Sequence, residues 1–358
     1  MKKLKRRLKY AMVGGGENSF IGPIHRMAVR LDDTADLIDG CYSHKDNWRD
    51  LIERVRGKVD FLTICTPNDS HYEIAKAALD ADMHVFCEKP VSMNAKEALE
   101  LQKLSLQKKK IIAVPFTYTG NAMIKLARDL VRKGVLGRIC KVNIEYVQGS
   151  FRKIDPNEPT DARIAWKKDP LRSGPSCVTA DIGVHAAALI EYTTGLQIES
   201  VLADISTFSK GTVLEDDASI LMRLTSGAKA SLVTSKVATG EENGVRIRIY
   251  GEKASCYWNQ EDPNYLYVKY PFEPERIYKR NAPYIANLSP VAKRLSRIPA
   301  GHPEGFIEAF ANIYSEFCAT ISGVRKGDFP DIGTGVMTMK FVDAVLKSAR
   351  TGSRWVRL

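Results

Sequence analysis

The seven cysteines form no C-x-x-C pair, and their number is odd. That spacing argues against a disulfide framework. It predicts thiols used as small hydrophobes in a reduced, cytoplasmic protein. No stretch reaches the ~18 consecutive apolar residues of a membrane-spanning helix. The N-terminus is basic (Lys2, Lys3, Lys5, Arg6, Arg7, Lys9), but no apolar segment of signal-peptide type follows it. Leu8 to Val13 runs straight into glycines, as a first strand does. No repeats and no low-complexity segments occur. No basic stripe is interleaved with aromatics, so the net charge of +11 is read as a basic surface without nucleic acid as partner.

What is present is an ordinary globular composition, 44% hydrophobic over 358 residues, a length that favours two domains over one core. The first half alternates strands and helices. Tyr10–Val13 reads as a strand, followed by Gly14-Gly15-Gly16 and then Glu17-Asn18-Ser19-Phe20-Ile21-Gly22-Pro23-Ile24-His25. Glycines at a strand-to-helix turn let backbone approach a pyrophosphate, and the helix N-terminus adds N–H donors. The spacing is irregular, since a G-x-G-x-x-G fit puts Ser19 where the third glycine belongs. Treating Glu17-Asn18-Ser19 as an insertion restores the pattern. Gly14, Gly16, Ser19, Phe20, Ile21 and Gly22 are therefore candidate cofactor contacts.

A second strand, Ala35 to Tyr42, ends at Ser43-His44-Lys45 without the acid that commonly binds ribose hydroxyls in NAD enzymes. Ser43 and His44 are candidate cofactor contacts, and the basic pair keeps NADP open. A helix is expected over Trp48–Arg56. Val59–Cys65 has the continuous apolar run of a buried parallel strand and ends in Thr66-Pro67-Asn68, with His71 opening the next helix. Met83–Cys87 ends in Glu88-Lys89-Pro90. A helix over Asn94–Gln107 and a strand over Ile111–Phe116 follow. Strands separated by helices predict a doubly wound parallel sheet whose ligand sits at the strands' carboxyl ends. Thr66, Pro67, Asn68, His71, Glu88 and Lys89 belong to such ends.

The second half differs. A helix over Asn121–Lys133 and a strand over Ile139–Gln148 lead into a long polar loop, Gly149–Pro175, that carries Trp166 and Arg172. Loops of that length are usually functional. Cys177–Tyr192 reads as a helix that places Asp181 and His185 at i and i+4, on one face. Strands with short turns follow, at 198–208, 218–224, 228–234, 245–250, 254–258 and 265–270, and predict an antiparallel sheet. Residues 270–303 read as irregular, and helices at 304–321 and 336–350 close the chain. The domains are expected at 1–120 and 121–358, with the last helix packing back on their junction. Asp181 and His185 have the spacing of a metal pair as well, but no third ligand accompanies them and no metal is expected.

In this order, the glycine loop ending in Gly22-x-x-His25, Thr66-Pro67-Asn68 with His71, Glu88-Lys89-Pro90, Gly134-Val-Leu-Gly137 and Asp181-x-Gly-x-His185 resemble the Gfo/Idh/MocA oxidoreductases over nearly the whole chain. The resemblance implies a Rossmann domain followed by an α/β domain with an open, mostly antiparallel sheet. It implies NAD or NADP as cofactor, with NAD slightly preferred, and a sugar, cyclitol or derivative as substrate. It further implies homodimers or homotetramers formed through that sheet. Lys89 matches the lysine of the family's E-K-P motif, and Asp181 and His185 match its D-x-G-x-H acid and histidine. The chain departs from the family between Ser43 and Val59, where one short helix replaces a longer passage.

Oxidising a secondary alcohol requires removal of a proton from oxygen and of a hydride from carbon. His185 is the best base by intrinsic pKa, Lys89 the electrostatic partner and Asp181 the positioner, with the roles of Lys89 and His185 exchangeable. Lys89, Tyr118, Trp166, Arg172, Asp181 and His185 are the candidate substrate contacts. Two further readings stay open: cleavage of a glycoside through a transient ketone, and a non-catalytic sugar or cofactor sensor on the same fold.

Overall fold

The computed structural model describes residues 6–17, 19–42, 47–151 and 165–358. Its contacts divide the chain into two units. The first takes the described residues up to 116, together with those of 165–175 and 310–339; the second takes those of 117–151, 176–309 and 340–358.

The first unit is built on five parallel strands in the order β2-β1-β3-β4-β5: β1 (Leu8–Gly14), β2 (Ala35–Cys41), β3 (Phe61–Cys65), β4 (His84–Cys87) and β5 (Ile112–Ala113). The crossovers are α1 (Ile21–Leu31), α2 (Trp48–Val55), α3 (His71–Asp80) and α4 (Ala95–Lys108). All five residues of β3 are buried, which is why its sequence is a continuous apolar run. α4 is capped reciprocally: Asn94 Oδ1 accepts the Glu97 N–H at 3.0 Å, and Glu97 Oε2 accepts the N–H of Met93, one residue before the cap, at 3.0 Å. Residues 310–339 cover one side of the sheet with aromatics, where Phe86 stacks on Tyr314 at 3.8 Å between ring centroids.

The strand order reverses between β1 and β3, and there Gly14 lies opposite Cys65. This switch point is where open α/β sheets bind ligands. The last strand is shorter than the sequence suggests. Only Ile112–Ala113 pair with β4; Val114 then donates to Pro330 O at 3.0 Å, and Pro115 has no N–H to extend the ladder.

The second unit holds a nine-stranded sheet in the order β13-β12-β11-β10-β6-β9-β8-β7-β14. Its strands are β6 (Ile139–Val147), β7 (Ile198–Ser206), β8 (Asp217–Leu224), β9 (Lys229–Ser235), β10 (Gly244–Gly251), β11 (Ser255–Asn259), β12 (Tyr265–Tyr270), β13 (Glu273–Lys279) and β14 (Val356–Arg357). All pairs are antiparallel except β6 with β9, which run parallel at the centre. In β8, Ala218, Ile220, Met222 and Leu224 are buried while Ser219, Leu221 and Arg223 are exposed. One face is thus covered and the other open. α5 (Ala122–Arg132) and the helix Val184–Thr194 pack against each other, and the latter packs on β6.

Two expectations are corrected here. Residues 270–303 are not wholly irregular: β13 pairs with β12 in an antiparallel ladder. No residue of β13 is buried, so its sequence carries no period-2 pattern. The helix expected over Cys177–Tyr192 is not regular. It begins with a π-helical turn, Thr179–Gly183, and becomes α-helical only at Val184. Among the described residues, no helix is long and apolar enough to cross a membrane.

Candidate functional site

On the first unit, β1 runs into Gly14 and Gly15 with φ of 82° and 77°. A Cβ on Gly14 would lie 2.7 Å from the Cys65 carbonyl, and one on Gly22 would lie 2.3 Å from Gly15 Cα. The loop and the start of α1 touch backbone to backbone, in an approach only glycine permits. Gly16 is equally confined, a Cβ there meeting Tyr42 O at 2.4 Å. Ser19 Oγ accepts the Gly22 N–H at 3.1 Å, and Ser19 donates its own N–H to Gly16 O at 2.9 Å. Phe20 is exposed and Ile21 half-buried. This glycine-lined cradle ahead of a helix N-terminus fits a pyrophosphate. Ser43 and His44 lie outside the described residues.

The loop after β3 carries Thr66, Pro67 and Asn68. Asn68 Nδ2 donates to Ser173 O at 2.9 Å, which ties this loop to the helical turn Pro170–Ser173 that carries Arg172. Trp166 lies in the adjoining turn Trp166–Lys168, and both side chains are half-buried. His71 is buried between two carbonyls, with Nδ1 2.7 Å from Pro90 O and Nε2 2.8 Å from Thr66 O. Burial pulls its pKa down, against the pull of the two carbonyls. The neutral ring donates to one of them and sits wedged between the segments that follow β3 and β4.

Both oxygens of Glu88 are engaged. Its Oε2 accepts the Lys89 N–H at 3.1 Å, and its Oε1 lies 3.1 Å from His25 Nε2. A carboxylate accepts, so Nε2 carries a proton, and Nδ1 lies 2.7 Å from the Tyr314 hydroxyl. Burial raises the Tyr314 pKa, so that hydroxyl keeps its proton. The acid that precedes Lys89 is therefore fixed from α1 and, through α1, from Tyr314. His25 stands in the sequence motif; nothing local points to Tyr314.

On the second unit, Glu215 Oε1 accepts from the Ser176 hydroxyl at 2.5 Å and from the N–H groups of Cys177 and Thr179 at 3.1 and 3.2 Å. These bonds fix the start of the turn that holds Asp181. A Cβ on Gly183 would lie 3.4 Å from Thr179 Cγ2 and 3.6 Å from Thr234 Cγ2, so the π turn lies directly against β9. The i, i+4 relation of Asp181 and His185 is consequently not that of a regular α-helix.

Asp181 and His185 nevertheless border the same tyrosine pair. The His185 ring centroid is 5.1 Å from that of Tyr118 and 6.0 Å from that of Tyr146. The tyrosine hydroxyls are 2.7 Å apart, and Asn243 Oδ1 accepts from Tyr146 at 2.8 Å and from Gln148 Nε2 at 3.1 Å. Burial pushes the Tyr118 pKa up to about 12 and that of Tyr146 well above its ordinary value, and the charge of Asp181 adds to both. Both remain neutral hydroxyls at physiological pH.

Three participants here are absent from the sequence reading. Tyr146 has the alternation of an ordinary strand residue, Asn243 stands in a polar turn, and Lys236 follows a strand end. Lys236 Nζ is 2.5 Å from Asp181 Oδ2, with side chains 2% and 15% exposed.

A parallel sheet with a glycine cradle at its switch point, in one chain with an open sheet that carries an acid–imidazole–tyrosine cluster, defines a dinucleotide-dependent oxidoreductase. The chain belongs to the Gfo/Idh/MocA family. Residues 20–116 match the oxidoreductase family with the NAD-binding Rossmann fold, and residues 124–257 match the GFO/IDH/MocA C-terminal domain. An uncharacterized oxidoreductase, YfiI, of Bacillus subtilis is 32% identical over 99% of this chain and 97% of its own. The levoglucosan dehydrogenase of Pseudarthrobacter phenanthrenivorans is 26% identical over 88% of this chain and 84% of its own. The solved structure of an inositol dehydrogenase homolog from Azotobacter vinelandii, complexed with NAD+, superposes with a TM-score of 0.94 at 31% identity, covering 100% of this chain and 99% of that one.

Proposed function

We propose that the protein oxidises a secondary hydroxyl of a sugar, cyclitol or sugar derivative, or reduces the corresponding ketone. The observation that carries this reading is the cluster of Asp181, His185, Tyr118, Tyr146 and Asn243. It gathers a carboxylate, an imidazole, two neutral hydroxyls and an amide on one unit, a set suited to a ligand rich in hydroxyls.

Gly14, Gly16, Ser19, Phe20, Ile21 and Gly22 would hold the dinucleotide phosphates. Thr66, Pro67, Asn68, His71, Glu88, Lys89, Ser43 and His44 are assigned to the same cofactor. A bound nicotinamide supplies the hydride acceptor. NAD is preferred over NADP, a choice supported by the NAD+ complex of the Azotobacter homolog.

His185 takes the hydroxyl proton as the carbonyl forms, Lys89 offsets the negative charge developing on oxygen, and Asp181 accepts a hydrogen bond from a substrate hydroxyl. Tyr118 is a further contact, as are Trp166 and Arg172, whose segment is tied to the Thr66–Asn68 loop. We further propose a cytoplasmic homodimer or homotetramer formed through the open face of the nine-stranded sheet. Leu221, Val233 and Tyr250 point outward there, 50%, 44% and 37% exposed.

The test is reduction of NAD+ and NADP+ by the purified protein with a panel of pyranosides and cyclitols, read from the absorbance of the reduced nicotinamide. Turnover with NAD+ and a polyol is the expected result. Absence of turnover across the panel overturns the reading, and release of an aglycone without net cofactor reduction replaces it with glycoside cleavage.

A further inference from the structure

We propose that Lys236 is a positioning residue of the Asp181–His185 cluster: its ammonium fixes the Asp181 carboxylate in the ionised, hydrogen-bond-accepting form and leaves proton transfer to His185. The proposal rests on the reading that these two residues act on substrate.

Lys236 directly follows β9. Its Nζ lies 2.5 Å from Asp181 Oδ2 and 4.6 Å from the centroid of the Phe151 ring. Its backbone N–H donates to Asp216 O at 2.8 Å, next to the Glu215 that caps the turn bearing Asp181. One short segment, Glu215–Asp216, thus anchors both ends of the ion pair. The pair is asymmetric: the lysine side chain is 2% exposed and the aspartate 15%, so the carboxylate is the end that reaches the surface.

A buried ion pair is weak as a stabilising device, because desolvation offsets much of the attraction. An apolar side chain at 236 would fill the same space. What the ammonium adds is electrical. Asp181 is faced by Tyr118 from the turn Thr117–Gly120, by Tyr146 from β6 and by Lys236 from the end of β9, with Glu215 at the base of its own turn and His185 against the same two tyrosines. Of these, Lys236 is the fixed cation. A carboxylate so paired stays ionised and acts only as an acceptor. The pair is also neutral as a whole, so Asp181 does not trap His185 as an imidazolium.

The test compares K236M, K236R and K236M/D181N, measuring kcat/KM against pH and dinucleotide affinity. For K236M, kcat/KM at neutral pH is expected to fall on the order of tenfold, with its acidic limb moved up by about one pH unit or more. K236R restores the limb, the double variant returns it toward the wild-type position because the base His185 then has no unpaired carboxylate beside it, and dinucleotide affinity is unchanged in all three. If K236M does not fold, K236Q serves, with the same expectation. An acidic limb identical in wild type and K236M, or equal losses in K236M and K236R without a shift, overturns the proposal. A second readout needs no substrate: infrared spectra of protein with 13C-labelled aspartate, assigned by D181N. The protonated-carboxyl band of Asp181 is expected to appear at higher pH in K236M than in wild type. Coincident titrations overturn the proposal, and an inactive wild type with separated titrations overturns only the dehydrogenase reading.

Discussion

His25 Nε2 lies 3.1 Å from Glu88 Oε1, with the two side chains 0% and 9% exposed. Replacing His25 by phenylalanine fills the space but leaves the carboxylate without its buried donor. The unfolding free energy is expected to fall by about 3 kcal/mol. Adding Glu88→Gln removes the orphaned charge, so the double variant should lose less than the sum of the singles. Urea unfolding of the three variants measures this.

Gly22→Ala places a methyl where Gly15 Cα stands 2.3 Å away. The glycine loop and α1 must separate. Affinity for NAD+ is expected to drop by more than about tenfold, consistent with ~1.4 kcal/mol or more of lost complementarity. Titration calorimetry reads the affinity, and an unchanged far-UV spectrum shows that the sheet persists.

Lys89→Ala and His185→Ala are each expected to lower turnover on the order of a hundredfold while dinucleotide binding is largely retained. Rates and Kd values measured on the same preparations separate the two effects. Unchanged turnover in both variants removes the catalytic assignments.

His84 Nδ1 accepts the Ile111 N–H at 3.0 Å, and burial followed by the nearby Lys110 lowers its pKa to about 4. Between the ordinary value of 6.5 and about 4, the unfolded chain binds a proton that the folded chain does not. Stability is therefore full above pH 6.5 and declines as pH falls toward 4. The loss assignable to this residue is roughly 2 kcal/mol after allowance for its partial exposure. His84→Gln keeps an acceptor for Ile111 without titrating. Its denaturant midpoint should change less between pH 7 and 5 than that of the wild type.

The parallel sheet was legible because its signals are local. β3 is apolar throughout since both its faces are buried. β8 declares its buried face by alternation. The irregular features left no such trace. β13 buries no residue, so no period marks it, and the π turn at Thr179–Gly183 obeys neither helical nor strand spacing. The candidate catalytic groups can be named from sequence because they stand in compact motifs. Their partners were missed because Lys236 reaches Asp181, and Tyr314 reaches His25, across 55 and 289 residues of chain. Only folding brings those pairs together.

The parallel seam at the middle of the larger sheet has a consequence for biosynthesis. Ile144 of β6 pairs on one side with Leu232 and on the other with Ile247. A nascent chain that has just exposed β6 must make about a hundred further residues before both flanks are filled. At roughly 5–20 residues per second, that is on the order of 5–20 s with two open edges and an apolar stripe in water. The smaller sheet has all its strands by then, but the aromatics of residues 310–339 that cover one of its faces are made later still, so a chaperone attending this polypeptide on the ribosome has apolar surface of both sheets to shield.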